Sequence, residues 1–146
     1  MDADACPVKS EVYRVAERHA LRVHIVAHQM LRVPDRDWIV ATILPEGPDA
    51  ADDWIADHIQ PEDICITNDV PLADRCLKRG ARVIGPKGRV HTENSIGDAL
   101  ATRDLLAHLR DQGQMTGGPA PFAKKDRSRF LGALHETIVS IKGSAK

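Results

Sequence analysis

The chain has 146 residues, a formal net charge of −1 and 42% hydrophobic residues, which predicts one globular domain over residues 1–146. The near-neutral charge favours no class of charged partner, and an aromatic content of 3% excludes stacking as the main mode of binding. Three cysteines without a C-x-x-C spacing exclude a disulfide scaffold and predict a reducing, cytoplasmic compartment. No apolar run is long enough to span a membrane.

The charge is distributed unevenly in the middle of the chain. Residues 46–74 contain nine acidic residues and no Lys or Arg, whereas residues 75–89 contain six basic residues and no acid. Two interpretations stay open. The two segments form either two differently solvated faces or an acidic pocket beside a basic strip.

The spacing of apolar residues predicts strands that alternate with helices. In chain order we expect a helix from Pro7 to about Ala20, strands over 21–27 and 38–44, a helix over 48–59, a strand over 63–67, a helix over 71–80, a strand over 81–85, a helix over about 94–112 and a last helix from Asp126 to about Lys142. A Gly/Pro-rich loop near 113–125 precedes the last helix, and we expect it to be flexible.

This alternation indicates an α/β fold with a mainly parallel central sheet and helices on both faces. Ligands of such sheets bind beyond the carboxyl ends of the strands. A first strand should precede Asp2, where only Met1 stands. Either the start is cut short, or the strand runs through the motif "DADACP" itself.

Aspartates occur twice between a predicted strand and a helix that begins with proline. Asp2 and Asp4 precede the helix at Pro7, and Asp69 precedes the helix at Pro71. We expect both groups at the same edge of the sheet, close to helix N-termini that favour negative charge. The simplest interpretation of each aspartate alone is a helix cap.

A third carboxylate comes from the helix over 48–59. On a helical wheel Asp49, Asp53 and Asp57 point to solvent, whereas Asp52 lies at the boundary of the apolar face. Several carboxylates at one place favour a hard divalent cation such as Mg²⁺ or Mn²⁺. Such a cation can activate water and stabilise charge on a phosphodiester.

Several motifs together resemble one family over nearly the whole chain. The motifs are "DADACP", "LRVP" (31–34), "DAAD" (49–52), "TNDVPLA" (67–73), "GARVIGPKGR" (80–89), "TGGP" (116–119) and "DRSRF" (126–130). In these motifs the chain resembles the YaiI/YqxD family of uncharacterised bacterial proteins, which is regarded as PIN-like and related to metal-dependent ribonucleases.

The resemblance implies a PIN-like, Rossmann-related three-layer sandwich with a Mg²⁺ or Mn²⁺ site. Asp2, Asp52 and Asp69 resemble the acidic ligands of PIN-type nucleases, and Asp74 resembles a fourth acidic residue. Asp4 belongs to the YaiI/YqxD motif rather than to the general PIN pattern.

From these residues we expect a metal-dependent nuclease, with RNA as its expected substrate. The residues expected to bind the phosphate backbone are Arg32, Lys87, Arg89 and Arg127. Asp4, Asp74 and Thr67 are expected to support the site. Homodimerisation stays open.

Two other functions are compatible with the sequence. One is a nucleic-acid or nucleotide binding module without catalytic activity. The other is a phosphohydrolase of the haloacid-dehalogenase type, because "DADAC" resembles a D-x-D-x-[TV] nucleophile loop in which Asp2 attacks phosphorus and Asp4 is the general acid. Thr67 would then stand in the second motif, but neither the lysine motif nor a cap region follows.

Overall fold

The computed structural model describes residue 1, residues 8–111 and residues 122–144. Asp2, Asp4 and most of the predicted loop near 113–125 lie outside these ranges. The described helices are α1 (Lys9–Arg18), α2 (Pro48–His58), α3 (Val70–Lys78), α4 (Glu93–Asp111) and α5 (Lys124–Ser144), and the strands are β1 (Val23–Ala27), β2 (Ile39–Ile43), β3 (Ile64–Ile66), β4 (Arg82–Ile84) and β5 (Val90–His91).

The described strands form two small sheets. β1 pairs with β2 in parallel, β3 pairs with β4 in parallel, and β5 adds to β4 in the antiparallel sense. The mixed α/β class is therefore confirmed. The single central sheet expected from the sequence is not found among the described residues, because β1 and β3 do not pair.

The two sheets share the same two helical layers. Ile25 and Ile66 contribute to an apolar cluster with α1 and α5, which includes the fully buried Phe130. Val26 and Cys65 point the opposite way, into a second cluster with α2, α3 and α4. Because successive side chains of a strand alternate between faces, both sheets lie between the same two apolar layers.

Met1 extends the first sheet by one residue. Its amino group donates to the carbonyl of His24 at 2.6 Å, and the amide of Val26 donates to the carbonyl of Met1 at 3.0 Å. These two bonds are those of a parallel pairing with β1. Met1 thus lies on the edge of β1 that faces away from β2.

Two local predictions from the sequence are wrong. β5 is missed, because two residues are too few to show a strand period and β5 exists only through its hairpin with β4. The last helix begins at Lys124 rather than at Asp126. Asp126 accepts a hydrogen bond from the amide of Ala123 at 2.8 Å, so it stabilises the helix from inside the first turn.

No helix in the described part of the chain is long and apolar enough to cross a membrane.

Candidate functional site

The clearest site geometry surrounds Asp69, between the end of β3 and the start of α3. The Asp69 amide donates to Oγ1 of Thr67 at 3.0 Å, and Asp69 Oδ1 accepts the amide of Leu72 at 2.9 Å. Asp69 is therefore the N-cap of α3, and Thr67, which is 1% exposed, fixes the turn that leads to it. The capping interpretation of Asp69 is confirmed, and the cap bond uses Oδ1.

The turn between β4 and β5 lies beside this cap. It is closed by the amide of Gly85, which donates to the carbonyl of Arg89 at 2.8 Å, and by the amide of Gly88, which donates to the carbonyl of Gly85 at 2.9 Å. A methyl group at Gly85 would lie 3.8 Å from the carbonyl oxygen of Thr67. The turn that carries Lys87 and Arg89 therefore adjoins the segment that carries Asp69.

Asp52 occupies the position that its helical spacing predicts. It is partly buried on α2, whereas Asp49, Asp53 and Asp57 are exposed. The hydrogen bond with Cys65 lowers the pKa of the Cys76 thiol on α3, and the negative charge of Asp52 opposes this shift. Asp52 therefore lies within electrostatic range of α3, the helix that Asp69 caps.

Part of the basic segment 75–89 is engaged with the acidic segment. The Arg75 guanidinium donates to Asp53 at 2.8 Å, and this hydrogen bond raises the pKa of Arg75. Arg79 donates to the carbonyl of Asp57 at 3.1 Å. These contacts hold α2 against α3, so this half of the basic segment does not form an open basic strip.

Three other predicted residues are engaged elsewhere or stand apart. Asp74 forms an ion pair with Lys78, one turn further along α3, with 2.9 Å between the carboxylate and the ammonium group. Arg127 pairs with Glu11 of α1 at 2.7 Å, and its guanidinium lies 5.0 Å from the centre of the Phe122 ring. Arg32 is exposed in the connection between β1 and β2.

No group of three or more His, Cys, Asp or Glu side chains in the described ranges is arranged to hold a metal ion. Asp52 and Asp69 are the two predicted metal ligands inside those ranges, and the third, Asp2, lies outside them. Their donors are carboxylate oxygens, which match the preference of Mg²⁺ and Mn²⁺. The donor type of Asp52 and Asp69 is therefore compatible with a hard cation, but no complete set of ligands is formed within the described ranges.

Sequence reasoning did not single out His91, which lies at the end of β5 two residues after Arg89. The side chain is buried, and Nδ1 has no hydrogen-bond partner among the described residues. Burial lowers the pKa of His91 from its ordinary value of 6.5, and the charge of Arg89 lowers it further. Its only signal in the sequence is its place just after a short glycine turn.

We expect the free energy of unfolding to decrease as the pH decreases, and we expect His91 to cause part of this decrease. Below about pH 6.5 the unfolded chain takes up a proton at this residue before the folded chain does, so the free energy of unfolding falls as the pH falls toward the lowered pKa. In His91→Gln the contribution of this residue to the pH dependence of the free energy of unfolding should disappear. Urea unfolding of both proteins at several pH values between about 7.5 and 5 checks this. Equal slopes in both proteins would contradict it.

Comparison with known proteins defines the class to which this α/β chain belongs. A family model described as "Uncharacterized BCR, YaiI/YqxD family" matches residues 1–140, and the chain belongs to that family. The UPF0178 protein of Paramagnetospirillum magneticum is 58% identical over 142 residues, which cover 97% of this chain and 94% of the relative.

Two further relatives have the same description. The UPF0178 protein of Rhodospirillum rubrum is 58% identical over 143 residues, covering 97% of this chain and 95% of the relative. The UPF0178 protein of Azorhizobium caulinodans is 55% identical over 142 residues, covering 97% and 89% of the two chains. No solved structure matches this chain.

Proposed function

We propose that this protein is a divalent-metal-dependent phosphodiesterase of the PIN-like type that cleaves nucleic acid in the cytoplasm, with RNA as its substrate. In this proposal the chain is one PIN-like, Rossmann-related three-layer domain. Asp2, Asp52 and Asp69 bind Mg²⁺ or Mn²⁺ at the carboxyl ends of the strands.

One observation carries the proposal. The cap at Asp69 and the turn with Lys87 and Arg89 follow two neighbouring parallel strands, and they meet where Gly85 approaches the Thr67 carbonyl. The Asp69 carboxylate for a cation and the basic residues Lys87 and Arg89 for phosphate are thus carried by adjacent backbone segments. This pairing is what metal-assisted cleavage of a phosphodiester requires.

The described residues have separate roles in this proposal. Thr67 fixes the turn that orients Asp69, and Asp52 approaches from α2, which contacts α3 through the Arg75–Asp53 ion pair. Lys87 and Arg89 bind the phosphate backbone. The bound cation supplies activation of water and stabilisation of charge on the phosphodiester.

The remaining predicted residues act around this centre. Asp4 and Asp74 support the ligands electrostatically. Arg32 and Arg127 contact the substrate backbone farther along, and binding of Arg127 to phosphate requires it to leave Glu11.

A titration of thermal stability with Mn²⁺ and with Mg²⁺ tests the metal site. A cation that binds only the folded chain raises the melting temperature, and at about 100 times its Kd it adds roughly 2.7 kcal/mol to the free energy of unfolding. We expect this rise in the wild-type protein and its loss in Asp52→Asn and in Asp69→Asn. Asparagine also caps helices well, so Asp69→Asn should keep α3 intact.

Asp57→Asn is the matched control, because Asp57 lies on the same helix as Asp52 but is exposed. It should respond to Mn²⁺ like the wild type. A wild-type protein that cleaves RNA without any stabilisation by either cation, or a rise that survives in both Asp52→Asn and Asp69→Asn, would contradict the proposed site.

A second candidate is a nucleic-acid or nucleotide binding module without catalytic activity. The observation that favours it is the lack, within the described ranges, of a group of three side chains arranged to hold a metal. It predicts salt-dependent RNA binding with no cleavage in Mn²⁺. A phosphohydrolase of the haloacid-dehalogenase type would instead turn over small phosphomonoesters and fail to cleave RNA.

A further inference from the structure

The turn between β4 and β5 packs directly against the backbone of α5. A methyl group added at Gly88 would lie 2.7 Å from the carbonyl carbon of Arg129 and 2.8 Å from its Cβ atom. Only a residue without Cβ allows this approach, and the φ of +90° at Gly88 favours glycine for a second reason. The Arg129 side chain therefore starts directly beside the turn.

This contact brings three basic residues together. Lys87 and Arg89 are the two neighbours of Gly88 in the chain, and Arg129 joins them from α5. All three residues are exposed. We refer to Lys87, Arg89 and Arg129 as the turn–helix cluster. Like charges that lie close together repel one another, so such a cluster is most stable when an anion is bound to it.

Acidic residues are almost absent from the two segments that meet at this contact. Residues 85–92 contain no acid, and the only acid in residues 122–135 is Asp126. Asp126 is 6% exposed and accepts the amide of Ala123 at 2.8 Å. Among the described residues, neither Arg89 nor Arg129 forms an ion pair with a carboxylate. The charges of these two arginines are therefore available to an anionic partner.

The turn–helix cluster stands on a fixed base. Ile84 directly precedes the turn, and Phe130 directly follows Arg129. Both side chains are fully buried, and they belong to the same apolar cluster. The turn and this part of α5 are thus held in place from below. Groups on a rigid base lose less conformational freedom when they bind a partner, so the arrangement is suited to binding.

We propose that the turn–helix cluster is one binding site for the phosphodiester backbone of a nucleic acid, with Arg129 as a further substrate-binding residue. A guanidinium group binds two phosphate oxygens through parallel hydrogen bonds, and the lysine adds a mobile positive charge. Lys125 is exposed one turn earlier on the same side of α5 as Arg129. It extends the site toward a neighbouring phosphate.

This inference rests on the proposed function, because it states how the substrate of that site is held. The segment that carries Asp69 adjoins the turn at Gly85, and the turn adjoins α5 at Gly88. With a net charge of −1 the attraction comes from this cluster and not from the whole molecule. A nucleic acid is favoured over an anionic membrane, because the cation proposed at Asp69 would bind the same phosphate backbone.

The test is a binding titration with a fluorescein-labelled oligouridylate in EDTA at several concentrations of KCl. EDTA removes divalent cations, so binding is measured without the metal site. Arg129→Gln should weaken binding about tenfold and reduce the slope of log K against log salt by about 0.7. Arg129→Lys keeps the charge and should keep the slope. Arg82→Gln is the matched control, because Arg82 is exposed at the opposite end of β4 from the turn.

Each result supports or overturns the proposed binding site. Equal binding by Arg129→Gln and the wild type, or equal losses in Arg129→Gln and Arg82→Gln, would overturn it. A wild-type protein that binds phosphatidylserine vesicles but not the oligouridylate would overturn it as well, because the partner would then be a membrane. A loss of binding specific to Arg129→Gln, in a protein that does not cleave RNA in Mn²⁺, would support the turn–helix cluster and count against the nuclease.

Discussion

Gly88→Ala should lower the free energy of unfolding by about 2–4 kcal/mol. Gly88 has φ +90°, a region in which other residues cost about 1–3 kcal/mol. In addition, a methyl group at this position would lie 2.7 Å from the carbonyl carbon of Arg129 and 2.9 Å from its oxygen. These are backbone atoms of α5 and cannot rotate away, so the turn must separate from the helix. Urea unfolding measures the loss.

Two other glycines provide controls, because their replacement by alanine should change stability in the opposite direction. Gly97 in α4 and Gly132 in α5 have nothing within 4 Å of an added methyl group. Replacing either by alanine should raise stability by about 0.5–1 kcal/mol, because alanine is the better helix former. A Gly88→Ala protein as stable as the wild type would show that the turn between β4 and β5 does not depend on close contact with α5.

Substitution of Asp69 should separate its structural role from its chemical one. Asp69→Ala removes the cap that accepts the Leu72 amide and should cost about 1 kcal/mol of stability. Asp69→Asn keeps the cap and removes the negative charge. If Asp69 binds the catalytic cation, both variants should lose RNA cleavage by at least about 100-fold, as expected when a charged group stabilises the transition state.

Asp69→Ser refines this comparison, since serine also caps helices but offers no carboxylate. It should behave like Asp69→Asn, stable and inactive. Full cleavage by Asp69→Asn together with a less stable Asp69→Ala protein would mean that Asp69 acts only as a cap. Each assay should include Asp57→Asn, whose exposed carboxylate is not expected to contribute.

Local signals in the sequence predict much of this structure. Proline at the first turn and apolar spacing locate α2 and α3 to within two residues. The strand–Asp–Pro order is enough to predict that Asp69 caps a helix. The helical wheel is enough to separate the half-buried Asp52 from its exposed neighbours. These properties depend on residues only a few positions apart.

The properties that the sequence could not supply depend on distant partners. The ion pair of Arg127 with Glu11 joins residues 116 positions apart, and no local pattern distinguishes it from a phosphate contact. The sequence also could not predict that β1 and β3 do not pair among the described residues, because the order of strands is a tertiary property. β5 exists only because a glycine turn returns the chain to β4.

The arrangement of contacts along the chain also has a consequence for biosynthesis. β3, α3, β4 and β5 follow one another directly, and each packs on or pairs with a near neighbour. The cluster around β1 instead needs Phe130 and Leu134 of α5, near the opposite end of the chain. During synthesis on the ribosome, the central hairpin and helix can therefore fold while the chain is still growing. The amino-terminal part cannot complete its apolar cluster until the last helix has emerged.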